Sequence, residues 1–115
     1  EAHSLVAAEI HGVDREKLAA VWEYRSSPHY TDAERVALDY ALAAGSVPNA
    51  VDTELVERMK QHWTEKQIVH ILGAVSLYGF LNRWNDSMAT DLEESPAEMG
   101  KDVLARGGWT GGKHV

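Results

Sequence analysis

The chain contains no cysteine in its 115 residues. Disulfides and cysteine nucleophiles are therefore excluded within them. Basic runs are also missing. The formal charge is −7, with the acids dispersed along the chain. No Lys/Arg patch is on hand to neutralise phosphates, so no nucleic-acid partner is expected. Long apolar runs are absent as well. The longest near-apolar stretch, Ile71 to Leu81, is well short of the roughly 20 residues a membrane span needs. The first residues, Glu1-Ala2-His3, are polar and lack the basic start of a signal peptide. A cytoplasmic protein with no membrane partner is the default expectation. No period-2 apolar alternation, internal repeat or glycine-rich phosphate loop occurs, so no sheet is predicted.

What is present reads as helix. Glu1 to His11 carries Ala2, Leu5, Val6 and Ile10 at helical spacing, and Gly12 supplies a stop. A helix running from the first residue suggests the later part of a longer protein. Asp14 is an N-cap for a second helix to about Tyr24, with Leu18, Val21 and Trp22 inward and Ser26-Ser27-Pro28 as the break. Thr31 and Glu34 form a capping box for a third helix to about Ala44. Asp52 caps a fourth helix to about His62, which should pair tightly with the helix that follows.

That fifth helix, about 64–88, dominates the pattern. Thr64 and Gln67 make a capping box. From Ile68 to Trp84 it is apolar on nearly every side, the signature of a buried helix. Ser95-Pro96-Ala97-Glu98 signals a last helix ending near Arg106. The expected fold is all-α, a bundle of about six helices around one long buried helix. The expected organisation is one helical domain over 1–106, lacking its N-terminal part, and a flexible Gly-rich tail over 107–115.

Few residues offer chemistry. None of the histidines, His3, His11, His29, His62, His70 and His114, has another three or four residues away, so no helical metal site and no metal is expected. His11, His29 and His62 read as surface or helix-end residues. His70, on the apolar helix, reads as a core histidine with a hydrogen-bond partner. Tyr78, Asn82 and Asp86 form a ladder along one helix face, either a structural tie or a pocket wall. Arg83 is a candidate partner for a helix-borne acid.

Taken in order, several segments resemble one family. Leu77-Tyr78-Gly79-Phe80-Leu81-Asn82-Arg83-Trp84-Asn85-Asp86 is similar to the late-helix signature of carboxymuconolactone decarboxylase-like, alkylhydroperoxidase D-like proteins. Ala2-His3-Ser4 is similar to the active-site helix, as are Gly12-Val13-Asp14, Ser27-Pro28 and Thr31 to Leu38 to segments that follow it. The resemblance extends to about Leu92. The family's peroxidase-like branch carries Cys, two residues, Cys, three residues, His. His3 matches that histidine, and the nearer cysteine would fall just before Glu1.

The resemblance implies thiol-dependent reduction of a peroxide, a small-molecule substrate, no cofactor, and a trimeric or hexameric homo-oligomer. A thiolate attacks the peroxide oxygen and becomes a sulfenic acid, which a second cysteine converts to a disulfide. A histidine one turn away can take the thiol proton, which makes His3 the candidate catalytic residue. Two alternatives stay open: a lactone decarboxylase independent of cysteine, and a non-catalytic helical oligomerisation module.

Overall fold

The computed structural model describes the backbone of residues 2–114 and the side chains of residues 6–114. Its regular elements are six α-helices and short 3-10 turns, with no strand among the described residues. The helices are α1 (Ala2–Ile10), α2 (Arg15–Ala19), α3 (Asp32–Gly45), α4 (Thr53–Lys60), α5 (Glu65–Met88) and α6 (Glu94–Val103). The all-α expectation holds.

Local sequence chemistry fixes most of the starts. Asp14 accepts the Glu16 N–H at 3.1 Å, and Asp52 accepts the Leu55 N–H at 2.8 Å. At α3, Thr31 Oγ1 accepts the Glu34 N–H and Glu34 Oε1 accepts the Thr31 N–H, each at 3.2 Å. At α5 the same exchange joins Thr64 and Gln67, at 3.2 and 2.9 Å. Each such cap satisfies an otherwise orphaned N–H and contributes about 1 kcal/mol.

Two boundaries differ from expectation. The second helix stops at Ala19, and a 3-10 turn over Val21–Glu23 takes its place. The last helix starts at Glu94, ahead of Ser95. Its first backbone bond runs from the Ala97 N–H to the Glu93 carbonyl. Pro96 therefore sits in the first turn, where its missing N–H costs nothing.

The chain divides into two compact units. One contains α1, α2 and α6, and the other contains α3, α4 and α5 up to Ser87. In the first, Met99, Val103 and Leu104 are buried, and Val6, Leu18, Val21 and Trp109 pack against them. Residues 107–114 make contacts with this unit. Trp109 lies so close to Gly100 that a Cβ there would meet ring atoms at 2.5–2.8 Å. The Leu92 N–H donates to the His114 carbonyl at 2.7 Å. His114 Nδ1 lies 2.7 Å from the Thr90 carbonyl, an acceptor only, so that nitrogen carries the proton.

In the second unit, Val36 and Tyr40 of α3 meet Leu55 and Met59 of α4, and Met59 is completely buried. Trp63 packs beside them and donates its Nε1–H to the Ala33 carbonyl at 3.0 Å. Arg58 pairs with Asp39 at 3.0 Å between the same two helices. The tight pair is thus α3–α4, and α5 joins it through Ile68 and Ile71.

The largest correction concerns α5. It was expected to be the buried centre, yet it has no buried residue. Leu77, Phe80 and Trp84 are each more than half exposed, and His70, expected in the core, is exposed too. Apolarity on all sides states that a helix needs cover; it does not state that this chain supplies it.

Replacing Gly100 with Ala should force the Trp109 ring from its seat and lower stability by about 1–3 kcal/mol in urea unfolding. An unchanged midpoint would contradict the Trp109 placement. Tyr30 gives a second test. Burial, and then the nearby Glu34 charge, raise its pKa above the usual tyrosine value. The raised folded-state pKa means a contribution that is intact below about pH 10 and lost as pH climbs through the folded value. Ultraviolet titration of Tyr30→Phe should therefore lack one tyrosine that ionises above the usual range, and its stability should fall less than wild type above about pH 10.

Candidate functional site

The candidate region is built on the first unit. Val6 turns α1 toward the Met99, Val103 and Leu104 core of α6. Arg15, the first residue of α2 and next to the capping Asp14, then joins both helices. Its Nε lies 2.8 Å from Glu9 Oε1 on α1, and a terminal nitrogen lies 2.5 Å from Asp102 Oδ2 on α6. The hydrogen bond to Glu9 does most to raise the guanidinium pKa, assisted by both negative charges. Arg15 is therefore a permanent cation bridging two carboxylates. Being exposed, the bridge is sensitive to salt.

Beside this bridge lies a cleft of about 590 Å³, within the size range of small-molecule sites. Val103 and Leu104, both buried, line it on the apolar side. Trp22 forms a wall, and the absence of a Cβ at Gly107 admits its ring, whose nearest atoms would lie 3.1–3.3 Å from one. Expected inward, Trp22 is half exposed because the 3-10 turn rotates it off the helix face predicted for it. Polar groups come from Arg15, Glu16, Glu23, His29, Asp102 and Arg106.

His29 is placed by a turn. Its backbone N–H donates to the Ser27 hydroxyl at 3.2 Å, and Ser27 is itself buried. The imidazole Nε2 then stands 4.0 Å from Glu16 Oε2, an ion pair only when the ring is protonated. A carboxylate beside an imidazole can hold or pass a proton at the cleft rim.

The residues singled out in the sequence lie on several elements. His3 lies on α1 six residues before Glu9, about 9 Å along the axis; its side chain lies outside the described residues. Tyr78, Asn82 and Asp86 lie on α5, are exposed and do not line this cleft. Arg83 folds back over its own helix, with a terminal nitrogen 3.3 Å from where a Gly79 Cβ would lie. His11 and His62 are exposed, as expected. No cluster of three potential metal ligands occurs among the described residues. The cleft itself was not legible. Arg15, Glu16 and His29 are scattered polar residues until Asp102 and Arg106, from the other end of the chain, are brought to them.

No protein-family model matches the chain. An uncharacterised protein of Escherichia coli (strain K12), YnjA, is 36% identical over 73 residues, covering 64% of this chain and 40% of YnjA. Two crystal structures of the debrominase Bmp8 share 30% identity with the chain. One is the apo protein, and the other is a cysteine-to-alanine variant in complex with 2,3,4-tribromopyrrole. Their TM-scores are 0.81 and 0.82 respectively, over 89% of this chain and 55% of the debrominase. The chain therefore shares the debrominase's helical fold and spans about half of its length.

The Arg15 bridge yields a direct test. Arg15→Met should lower the thermal midpoint at low salt, and the loss should shrink in about 1 M salt, where charges are screened within a few ångströms. Equal losses at both salts would show that the bridge holds nothing.

Proposed function

We propose that this chain is part of a thiol-dependent oxidoreductase of the carboxymuconolactone decarboxylase-like, alkylhydroperoxidase D-like kind, acting on a small molecule. The observation that carries the reading is the 30% identity to the debrominase across 89% of the chain. The complex of that debrominase with 2,3,4-tribromopyrrole has a cysteine replaced by alanine, which favours a thiol in the chemistry proposed here.

In this reading the thiols come from polypeptide outside these 115 residues, as Cys-x-x-Cys ending just before Glu1. His3 takes the proton of the nearer thiol, one helical turn away. The thiolate attacks the peroxide, the O–O bond breaks, and the alkoxide leaves with a proton. The resulting sulfenic acid condenses with the second thiol, releasing water, and an external dithiol restores the pair. The debrominase likeness favours a second substrate class. Replacing an aryl C–Br by C–H takes two electrons and a proton, which the same dithiol can supply, leaving bromide. No cofactor or metal is required. The protein works as a cytoplasmic homo-oligomer, trimer or hexamer, with no nucleic-acid or membrane partner.

The test uses the polypeptide encoded by the complete reading frame. Dithiothreitol-dependent turnover of cumene hydroperoxide and of 2,3,4-tribromopyrrole is measured for wild type and His3→Ala. Turnover of at least one substrate is expected, with kcat/KM reduced about 10²–10⁴-fold in the variant. Turnover that survives His3→Ala unchanged removes the histidine's role. A reading frame without upstream cysteines removes the thiol reading and leaves the cysteine-independent decarboxylase or the non-catalytic module.

A further inference from the structure

The residues lining the cleft beside Arg15 all belong to the first unit. Buried Val103 and Leu104 give it an apolar floor, and Trp22 gives it an aromatic wall. Two short 3-10 turns build that wall, one over Val21–Glu23 and one over Ala105–Gly107. Three atoms of the six-membered ring of the indole would lie 3.1–3.3 Å from a Cβ at Gly107. Distances so nearly equal place Gly107 over a face of the ring, not at its edge. Trp22 is still 50% exposed, and no aromatic or cationic side chain stacks on it among the described residues.

The charges along the lining do not all cancel. Arg15 and Asp102 neutralise one another, and Glu16 faces His29. Glu23 and Arg106 remain. Each sits on one of the two turns, Glu23 next to Trp22 and Arg106 next to Gly107. They have opposite signs and line the same cleft, yet they form no ion pair with each other. Neither side chain has another partner among the described residues. A molecule that carries both signs satisfies both.

We propose that this cleft binds a zwitterionic α-amino acid with a flat apolar side chain. Its carboxylate takes Arg106, whose planar guanidinium donates to both oxygens. Its ammonium donates to Glu23. Its side chain lies against Trp22, above Val103 and Leu104. The balance of charge selects the class. Acids outnumber bases in the lining, with Glu16, Glu23 and Asp102 against Arg15 and Arg106, and the chain as a whole carries −7. A simple anion is repelled by that surplus, and a simple cation meets Arg106 without an answering charge. A zwitterion has no net charge and meets neither penalty. The inference goes beyond the thiol reading and stands without it, since binding needs no turnover.

Calorimetric titration of the polypeptide of the complete reading frame tests it, with four probes. L-phenylalanine carries both charges and a ring. Phenethylamine lacks the carboxylate, 3-phenylpropionate lacks the ammonium, and L-alanine lacks the ring. L-phenylalanine should bind, and each of the others should bind about tenfold more weakly. Arg106 and Glu23 are exposed, so Arg106→Gln and Glu23→Gln should keep the fold, as checked by circular dichroism. Arg106→Gln should weaken L-phenylalanine about tenfold and leave phenethylamine no weaker. Glu23→Gln should weaken L-phenylalanine similarly and leave 3-phenylpropionate no weaker. No heat from L-phenylalanine overturns the proposal, as does equal affinity for either single-charge analogue. Variants that bind L-phenylalanine as tightly as wild type overturn it too. None of these outcomes touches the thiol reading, which turnover alone decides.

Discussion

Apolar side chains on every side of a 24-residue helix have to be withdrawn from water. That constraint governs the rest of the molecule. The α3–α4 pair covers part of one face of α5, through Ile68 and Ile71 near its start. Leu77, Phe80, Leu81, Trp84 and Met88 stay exposed. At about 25 cal/mol for each Å² of apolar surface, leaving several such side chains in water forgoes several kcal/mol, comparable to the whole stability of a small domain. The free energy is available to whichever surface covers the helix.

The two units meet the same physical demand at smaller scale. Each core is small: Met99, Val103 and Leu104 in one, Val36, Tyr40, Leu55 and Met59 in the other. Each is closed by a tryptophan, Trp109 against the first and Trp63 against the second. Polar ties run over them, Arg15 across α1 and α6, and Arg58 across α3 and α4.

What could be read from the sequence was what is local. The caps at Asp14, Thr31, Asp52 and Thr64 need residues only two or three apart, and all four are present. The stop at Gly12 rests on its positive φ of 81°, a conformation glycine adopts at no steric cost. What could not be read was what depends on distant partners. The burial of α5 depends on surfaces the pattern does not identify. The anchoring of 107–114 depends on Gly100 admitting Trp109. The cleft depends on Asp102 and Arg106 returning beside Arg15 and His29. The candidate catalytic residue, His3, was chosen by resemblance, since a lone histidine has no spacing partner to identify it.

Hydrogen exchange of the α5 amides tests the central claim most directly, because it reads the cover on that helix without any substitution. In the polypeptide of the complete reading frame, amides from Ile71 to Trp84 should exchange slowly, as those around Met59 do. Fast exchange in α5 would contradict the account, since it would leave the helix as exposed in solution as it is in these 115 residues.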